Sequence, residues 1–175
     1  MKININRIIV FAFIIFILSV FLFSLGRNTV YDTKSIIGKP IDNFQLRSIN
    51  NYEDIIDEQY LKKKKFTLIN IWASWCKPCR DEHKFLMNLT KDKKNLQILG
   101  INFKDKKNNA LEFLSELGNP YDFIAKDKNG KSSVTFGVYG VPESILINND
   151  LIIIKKFIGP LNLRDFKDIS KLIKN

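Results

Sequence analysis

The chain has 175 residues, with 28 Lys and Arg against 18 Asp and Glu, a formal net charge of +10 and two cysteines. About 150 residues follow an apolar N-terminal run, enough for one domain with its own core. Lys, Asn and Ile are frequent along the whole chain and no basic stretch interleaves aromatics. The charge is therefore a composition bias and gives no nucleic-acid signal.

Ile8 to Leu25 is an uncharged run of 18 residues. As a helix it is about 27 Å long, close to the hydrocarbon thickness of a bilayer. Lys2 and Arg7 precede it, so residues 1–7 are expected in the cytoplasm and the rest across the membrane. A cleaved signal peptide competes with this. Its apolar core is normally shorter, and Phe23-Ser24-Leu25-Gly26 is a poor cleavage site, which favours a retained single-pass anchor.

Residues 26–39 read as a linker and 40–175 as the domain. Tyr31 to Lys39 is a tether, and Pro40 to Ile49 supplies an edge strand or hairpin. Lys62-Lys63-Lys64-Lys65 is a solvated turn. Phe66 to Trp72 is a continuous apolar run and reads as the central strand, with a helix from Lys77 to about Thr90. Leu96 to Asn102 is a second buried strand. Asn108 to Leu117 is an amphipathic helix stopped by Gly118-Asn119-Pro120. Tyr121 to Ala125 is a short strand, Lys128-Asn129-Gly130 a turn, and Ser132 to Phe136 one helical turn. Ser144 to Asn148 and Leu151 to Ile158 form a hairpin. Leu163 to Ile173 closes the chain as a helix with Leu163, Phe166, Ile169 and Ile173 inward. Alternating strands and helices followed by a hairpin imply an α/β sandwich with a mixed sheet.

The only cysteines, Cys76 and Cys79, follow the central strand and open a helix. Unpaired backbone N–H groups and the helix dipole stabilise a thiolate there, and Pro78 suits a first helical turn. Zinc is disfavoured: Cys76, Cys79 and His83 make three ligands where a structural site uses four. A structural disulfide would close a longer loop. Inert buried thiols do not suit the flanking Lys77, Pro78 and Arg80. Reversible thiol–disulfide exchange is the chemistry left.

Cys79, Glu82, Leu86 and Leu89 share one helical stripe that faces the core. Glu82 is then either an edge residue that reaches water or a partly desolvated acid with a raised pKa, poised to exchange protons with the thiols. His83 reads as a surface or hydrogen-bonded histidine. Gly137-Val138-Tyr139-Gly140-Val141-Pro142-Glu143-Ser144 leads into an apolar strand. Val141-Pro142 is either an ordinary trans turn or a cis bond.

Trp75-Cys76-Lys77-Pro78-Cys79, with Val141-Pro142 downstream, resembles the thioredoxin-like proteins. The finer resemblance is to the membrane-anchored thiol:disulfide interchange proteins of cytochrome c maturation. It is carried by Trp72 to His83, by Ile101-Asn102-Phe103-Lys104-Asp105, by Leu117-Gly118-Asn119-Pro120-Tyr121 and by Gly137 to Glu143, within roughly residues 36–165 plus the anchor. Lys77 beside Cys76, and Ser144-Ile145 where Thr-Phe is common, depart from the pattern.

The resemblance implies a thioredoxin-like fold and a reductant in an oxidising compartment. Cys76 is then the exposed attacking cysteine and Cys79 the buried resolving one. Pro142 is the cis proline against the dithiol, and Glu82 and Glu143 are the acids that line the site. With both acids near the thiols, one is expected to be protonated near neutral pH and the titration to be coupled. The implied targets are the Cys-x-x-Cys-His haem-attachment site of apocytochrome c or a thiol chaperone that presents it. A transmembrane thiol electron carrier supplies the reductant, and no metal or organic cofactor is implied. The implied location is the inner (cytoplasmic) membrane, with the catalytic domain on the periplasmic, extracytoplasmic side. The alternatives are a general extracytoplasmic thiol reductant and a redox-inactive module that only docks apocytochrome.

Overall fold

The computed structural model describes residues 5–25, 36–41, 44–51, 53–91 and 94–174. The chain falls into two units, residues 1–32 and 33–175. The first contains one helix, α1 (Ile5–Leu25). Its stretch Ile5–Ser24 is long and apolar enough to cross a membrane, and none of it is buried in protein. Residues 1–4, and the tether as far as residue 35, lie outside the described residues.

The second unit runs β1 (Leu46–Arg47), β2 (Ile55–Ile56), α2 (Glu58–Leu61), β3 (Phe66–Trp72), α3 (Lys77–Leu89), β4 (Leu96–Phe103), α4 (Lys107–Leu117), β5 (Phe123–Asp127), α5 (Lys131–Thr135), β6 (Glu143–Asn148), β7 (Ile153–Ile158) and α6 (Leu163–Leu172). Five strands form one sheet in the order β5-β4-β3-β6-β7, with β3 at its centre. β3 pairs parallel to β4 and antiparallel to β6, so the sheet is mixed as expected. Every residue of β3 is buried, because both faces of the sheet are covered and no alternation with polar residues is needed.

Two apolar clusters fill the two sides. Leu68 and Trp72 of β3 point to a cluster that includes Cys76, Cys79, Leu86, Phe113 and Ile169. Ile69 and Ile71 point to the other, which includes Leu46, Ile56, Leu61, Phe136 and Ile145. The dithiol and helices α3, α4 and α6 therefore share one face.

Several expectations shift. Of the edge strand or hairpin expected within Pro40 to Ile49, β1 lies in that stretch, but its antiparallel partner β2 lies beyond it, and β2 and the four-residue α2 had no periodic signal to betray them. Residues 36–39, placed in the linker by sequence, belong to the globular unit: Gly38 N–H donates to Ile153 O, and Ile153 N–H to Lys39 O. The strand expected from Tyr121 begins at Phe123, because Tyr121 leaves the ladder and turns its ring into the core. Leu163 is 55% exposed rather than inward. It is the first residue of α6, and the stripe that turns inward is Phe166, Ile169 and Ile173.

Candidate active site

Cys76 and Cys79 form a disulfide at the start of α3. Cys76 is the N-cap, and its Sγ accepts the Cys79 N–H at 3.2 Å. Helix N-termini leave backbone donors unsatisfied, so a thiolate at Sγ of Cys76 meets a donor already in place. Both sulfurs are nearly covered: Cys76 is 4% exposed and Cys79 2%. The exposure expected of Cys76 is absent in the disulfide form, and it is the capping position that sets the two cysteines apart.

The loop before the dithiol is pinned from the next strand. Asp105 accepts the Ser74 N–H at 2.6 Å, the Ser74 hydroxyl at 2.9 Å and the Asn102 amide at 3.0 Å. The Trp75 indole N–H donates to Lys104 O at 3.3 Å while most of its ring stays exposed. Lys104 adopts φ +45°, a left-handed conformation that non-glycine residues rarely keep without such support.

Behind the disulfide lies a buried polar network. Glu82 is fully buried, which rules out the edge position. Its Oε1 accepts the Asn70 amide at 2.9 Å and its Oε2 accepts the Leu161 N–H at 2.7 Å. Asn70 also donates to Ser144 Oγ at 3.0 Å and accepts the Tyr121 hydroxyl at 2.8 Å. Burial pushes the Glu82 carboxyl up to about 7. The Leu161 N–H and the Asn70 amide pull it down, and the charge of Asp165 adds to the rise. Burial, with the nearby Glu82 charge, also pushes the Tyr121 hydroxyl well above its ordinary value.

Tyr121 reaches Asn70 by crossing Gly100, the residue paired with Asn70 on β4. The Tyr121 ring stacks on Trp72 at 5.3 Å. A Cβ at Gly100 would lie 2.7 Å from the Tyr121 ring and 2.9 Å from the Trp72 indole nitrogen. Glycine is required here for close approach, not for backbone freedom.

His83 is 3% exposed, hydrogen-bonded through Nε2 to Gly118 O at 3.0 Å and set edge-on to Phe113. Burial lowers its pKa, as does the charge of Arg80, while the Gly118 carbonyl opposes both. Arg80 pairs with Glu116 at 2.8 Å and lies over the Phe113 ring.

The Val141–Pro142 bond is cis and Pro142 is buried. Val141 packs against both apolar clusters, at the rim where the dithiol face and the opposite face meet. Glu143 follows, 6% exposed, with Oε2 paired to Lys156 Nζ at 2.8 Å and Oε1 accepting the Tyr139 N–H at 3.4 Å. Glu143 pairs with Ile71 across the ladder, whereas Ser144 pairs with Asn70. The two acids therefore lie on opposite faces of the sheet, and the charge that adds to the rise of Glu82 is Asp165, not Glu143.

Asn70 and Lys156 were not singled out from sequence, and Tyr121 and Ser144 stood there only within strings compared with the family, without a site role. Asn70 carried a signal, since one amide inside an otherwise apolar buried strand demands partners. The others are joined to the site only by tertiary pairing.

The family model described as Redoxin matches residues 37–173. The thiol:disulfide interchange protein CycY of Rhizobium leguminosarum bv. viciae is 55% identical over 98 residues, 56% of this chain and 52% of that protein, so the chain spans about half of that relative's length. The thiol:disulfide interchange protein DsbE of Escherichia coli K12 is 35% identical over 173 residues, 95% of this chain and 92% of that one. Among solved structures, a thiol:disulfide interchange protein of the thioredoxin family from Chlorobium tepidum TLS superposes with a TM-score of 0.65 at 22% identity, covering 78% of this chain and 96% of that one, which is a likeness of fold.

Proposed function

The chain belongs to the Redoxin family and is a thiol:disulfide oxidoreductase, and from that premise we propose that it is a membrane-tethered reductant that keeps the haem-binding cysteines of apocytochrome c reduced. The observation that carries this is the dithiol at the head of α3 with a buried, titratable carboxyl on the same helix.

The reduced Cys76 thiolate, held by the Cys79 N–H, attacks one sulfur of a target disulfide. A mixed disulfide forms and the other target sulfur leaves as a thiolate that takes up a proton. Cys79 then attacks Cys76 Sγ, releases the reduced target and closes the Cys76–Cys79 disulfide. Two electrons and two protons pass to the target. Glu82, three residues after Cys79 and half-ionised near pH 7, accepts the Cys79 proton as that thiol becomes the attacking group. Pro142 and Glu143 shape the surface that the target meets. The targets are apocytochrome c or a thiol chaperone that presents it, and a transmembrane thiol carrier restores the dithiol. Ile8–Leu25 anchors the chain, with residues 1–7 in the cytoplasm and the domain outside it.

The test is turnover of an oxidised Cys-x-x-Cys-His peptide against reduction of insulin disulfides. Selective turnover of the peptide supports the specialist. Equal turnover of both substrates replaces it with a general reductant, and no turnover of either replaces it with a docking module. Cys79→Ser should trap a mixed disulfide and Cys76→Ser should not; equal trapping would contradict the order of attack. Reporter fusions after Lys39 should be active only outside the cytoplasm, and cytoplasmic activity would overturn the topology.

A further inference from the structure

Lys156 lies on β7, outside every motif that marks the site, yet it is the one lysine among the described residues that is buried. Its side chain is 0% exposed. Long cationic side chains normally carry their charge to water, so a buried ammonium needs a reason. Lys156 pairs with Ile145 across β6 and β7, on the face that carries Glu143 two residues earlier. Lys156 is thus the diagonal neighbour of Glu143, within reach of a long side chain. Its Nζ meets Glu143 Oε2 at 2.8 Å and donates to Gly137 O at 2.6 Å. Glu143 in turn accepts the Tyr139 N–H.

These contacts close a loop. Gly137 and Glu143 are the two ends of the segment that contains the cis Val141–Pro142 bond, and one ammonium holds both. Gly137 itself adopts φ +67°, a left-handed turn that favours glycine, where the segment leaves α5. Nothing in Lys156 touches the cysteines. Its action on the reaction runs through the segment it fixes.

We propose that Lys156 is a positioning residue for thiol–disulfide exchange, and that the Gly137 O–Lys156 Nζ–Glu143 bridge holds the Gly137–Glu143 segment in the alignment a target disulfide needs. The inference rests on the exchange activity proposed above and adds to it a residue on the far face of the sheet.

The experiment uses the full chain in detergent. Breaking the pair with Lys156→Met alone strands Glu143, so the comparison is Glu143→Gln against Lys156→Met/Glu143→Gln, which removes both charges. Turnover of an oxidised Cys-x-x-Cys-His peptide is measured with dithiothreitol as terminal reductant. Direct reduction of the Cys76–Cys79 disulfide by dithiothreitol is followed separately. The double variant should lose roughly tenfold in kcat/KM for the peptide relative to Glu143→Gln, mainly through KM, because misplacement of a docking segment acts on alignment. Its reaction with dithiothreitol, which needs no docking, should stay within about twofold of Glu143→Gln by the same logic. Equal peptide kinetics in the two variants would overturn the proposal, and so would a parallel fall in both reactions. Absence of peptide turnover in the wild type would instead remove the functional premise.

Discussion

Glu82 and Glu143 are both buried, but the sheet runs between them and they are held in opposite ways. On the dithiol face, Glu82 meets an amide and a backbone N–H. Neutral donors only partly offset the cost of burying its charge, so its carboxyl rises to about 7. On the other face, Glu143 meets a buried ammonium. A desolvated ion pair fixes two groups in one geometry and makes each depend on the other. The difference teaches that burial alone does not set what an acid does: the partner it meets decides. Neutral partners leave Glu82 free to change protonation, whereas a cation makes Glu143 part of a clamp.

The largest expected effect comes from breaking the clamp alone. Lys156→Met leaves a buried carboxylate without its cation and should destabilise the fold by about 3–5 kcal/mol in urea titrations at pH 7. Glu82→Gln should cost less in the same titrations, because the loss of one of two acceptors, about 1–3 kcal/mol, is offset by removal of the buried charge. Equal losses in the two variants would erase the distinction between the faces.

Next comes the pH dependence of stability. The folded-state pKa of Glu82 lies above its ordinary 4.5, so the folded chain keeps a proton that the unfolded chain has released. Stability therefore falls as pH rises from about 4.5 to about 7. The difference between Glu82→Gln and wild type should shift by about 3 kcal/mol across that window toward the variant, from the pKa gap and roughly 1.4 kcal/mol per unit. His83 gives the opposite slope below its ordinary 6.5, since burial disfavours its charged form. That slope is common to both proteins and cancels in the difference. A flat difference would place Glu82 in water.

A smaller effect is expected from the glycine that lets Tyr121 reach Asn70. Gly100→Ala pushes a methyl into the Tyr121 ring and the Trp72 indole, and should cost about 1–3 kcal/mol by overpacking. It acts on the Glu82 face only. A double variant with Lys156→Met should therefore be additive, and a coupling above about 0.5 kcal/mol would show that the faces communicate.

Much of this was legible in the sequence. The buried run Phe66–Trp72 gave the central strand, because period-free apolarity marks a strand covered on both faces. The helix at Lys77, the Gly118 stop and the final hairpin were equally local signals. The stripe through Cys79, Glu82, Leu86 and Leu89 brings Glu82 to the core side, where it is buried. What could not be read was pairing at long range. Which face of the sheet Glu143 takes depends on the register of β6 against β3, and a one-residue slip would exchange it with Ser144. For the same reason the charge expected from Glu143 beside Glu82 is absent: Asp165 adds to the rise of Glu82, and Glu143 is ion-paired with Lys156 on the other face. Lys156 sits among Ile and Lys residues that look like an ordinary exposed edge strand. The Glu143 carboxylate and the Gly137 carbonyl, brought there by the fold, together explain its burial.

The most direct test of Glu82 as the acid that answers the thiols is the pH dependence of iodoacetamide labelling of Cys76 in the reduced full chain, wild type against Glu82→Gln. As Glu82 ionises it opposes a second negative charge at the dithiol, so removing it should lower the apparent Cys76 pKa by about one unit. Superimposable labelling profiles would contradict the account, because Glu82 would then be buried but electrically silent toward the cysteines.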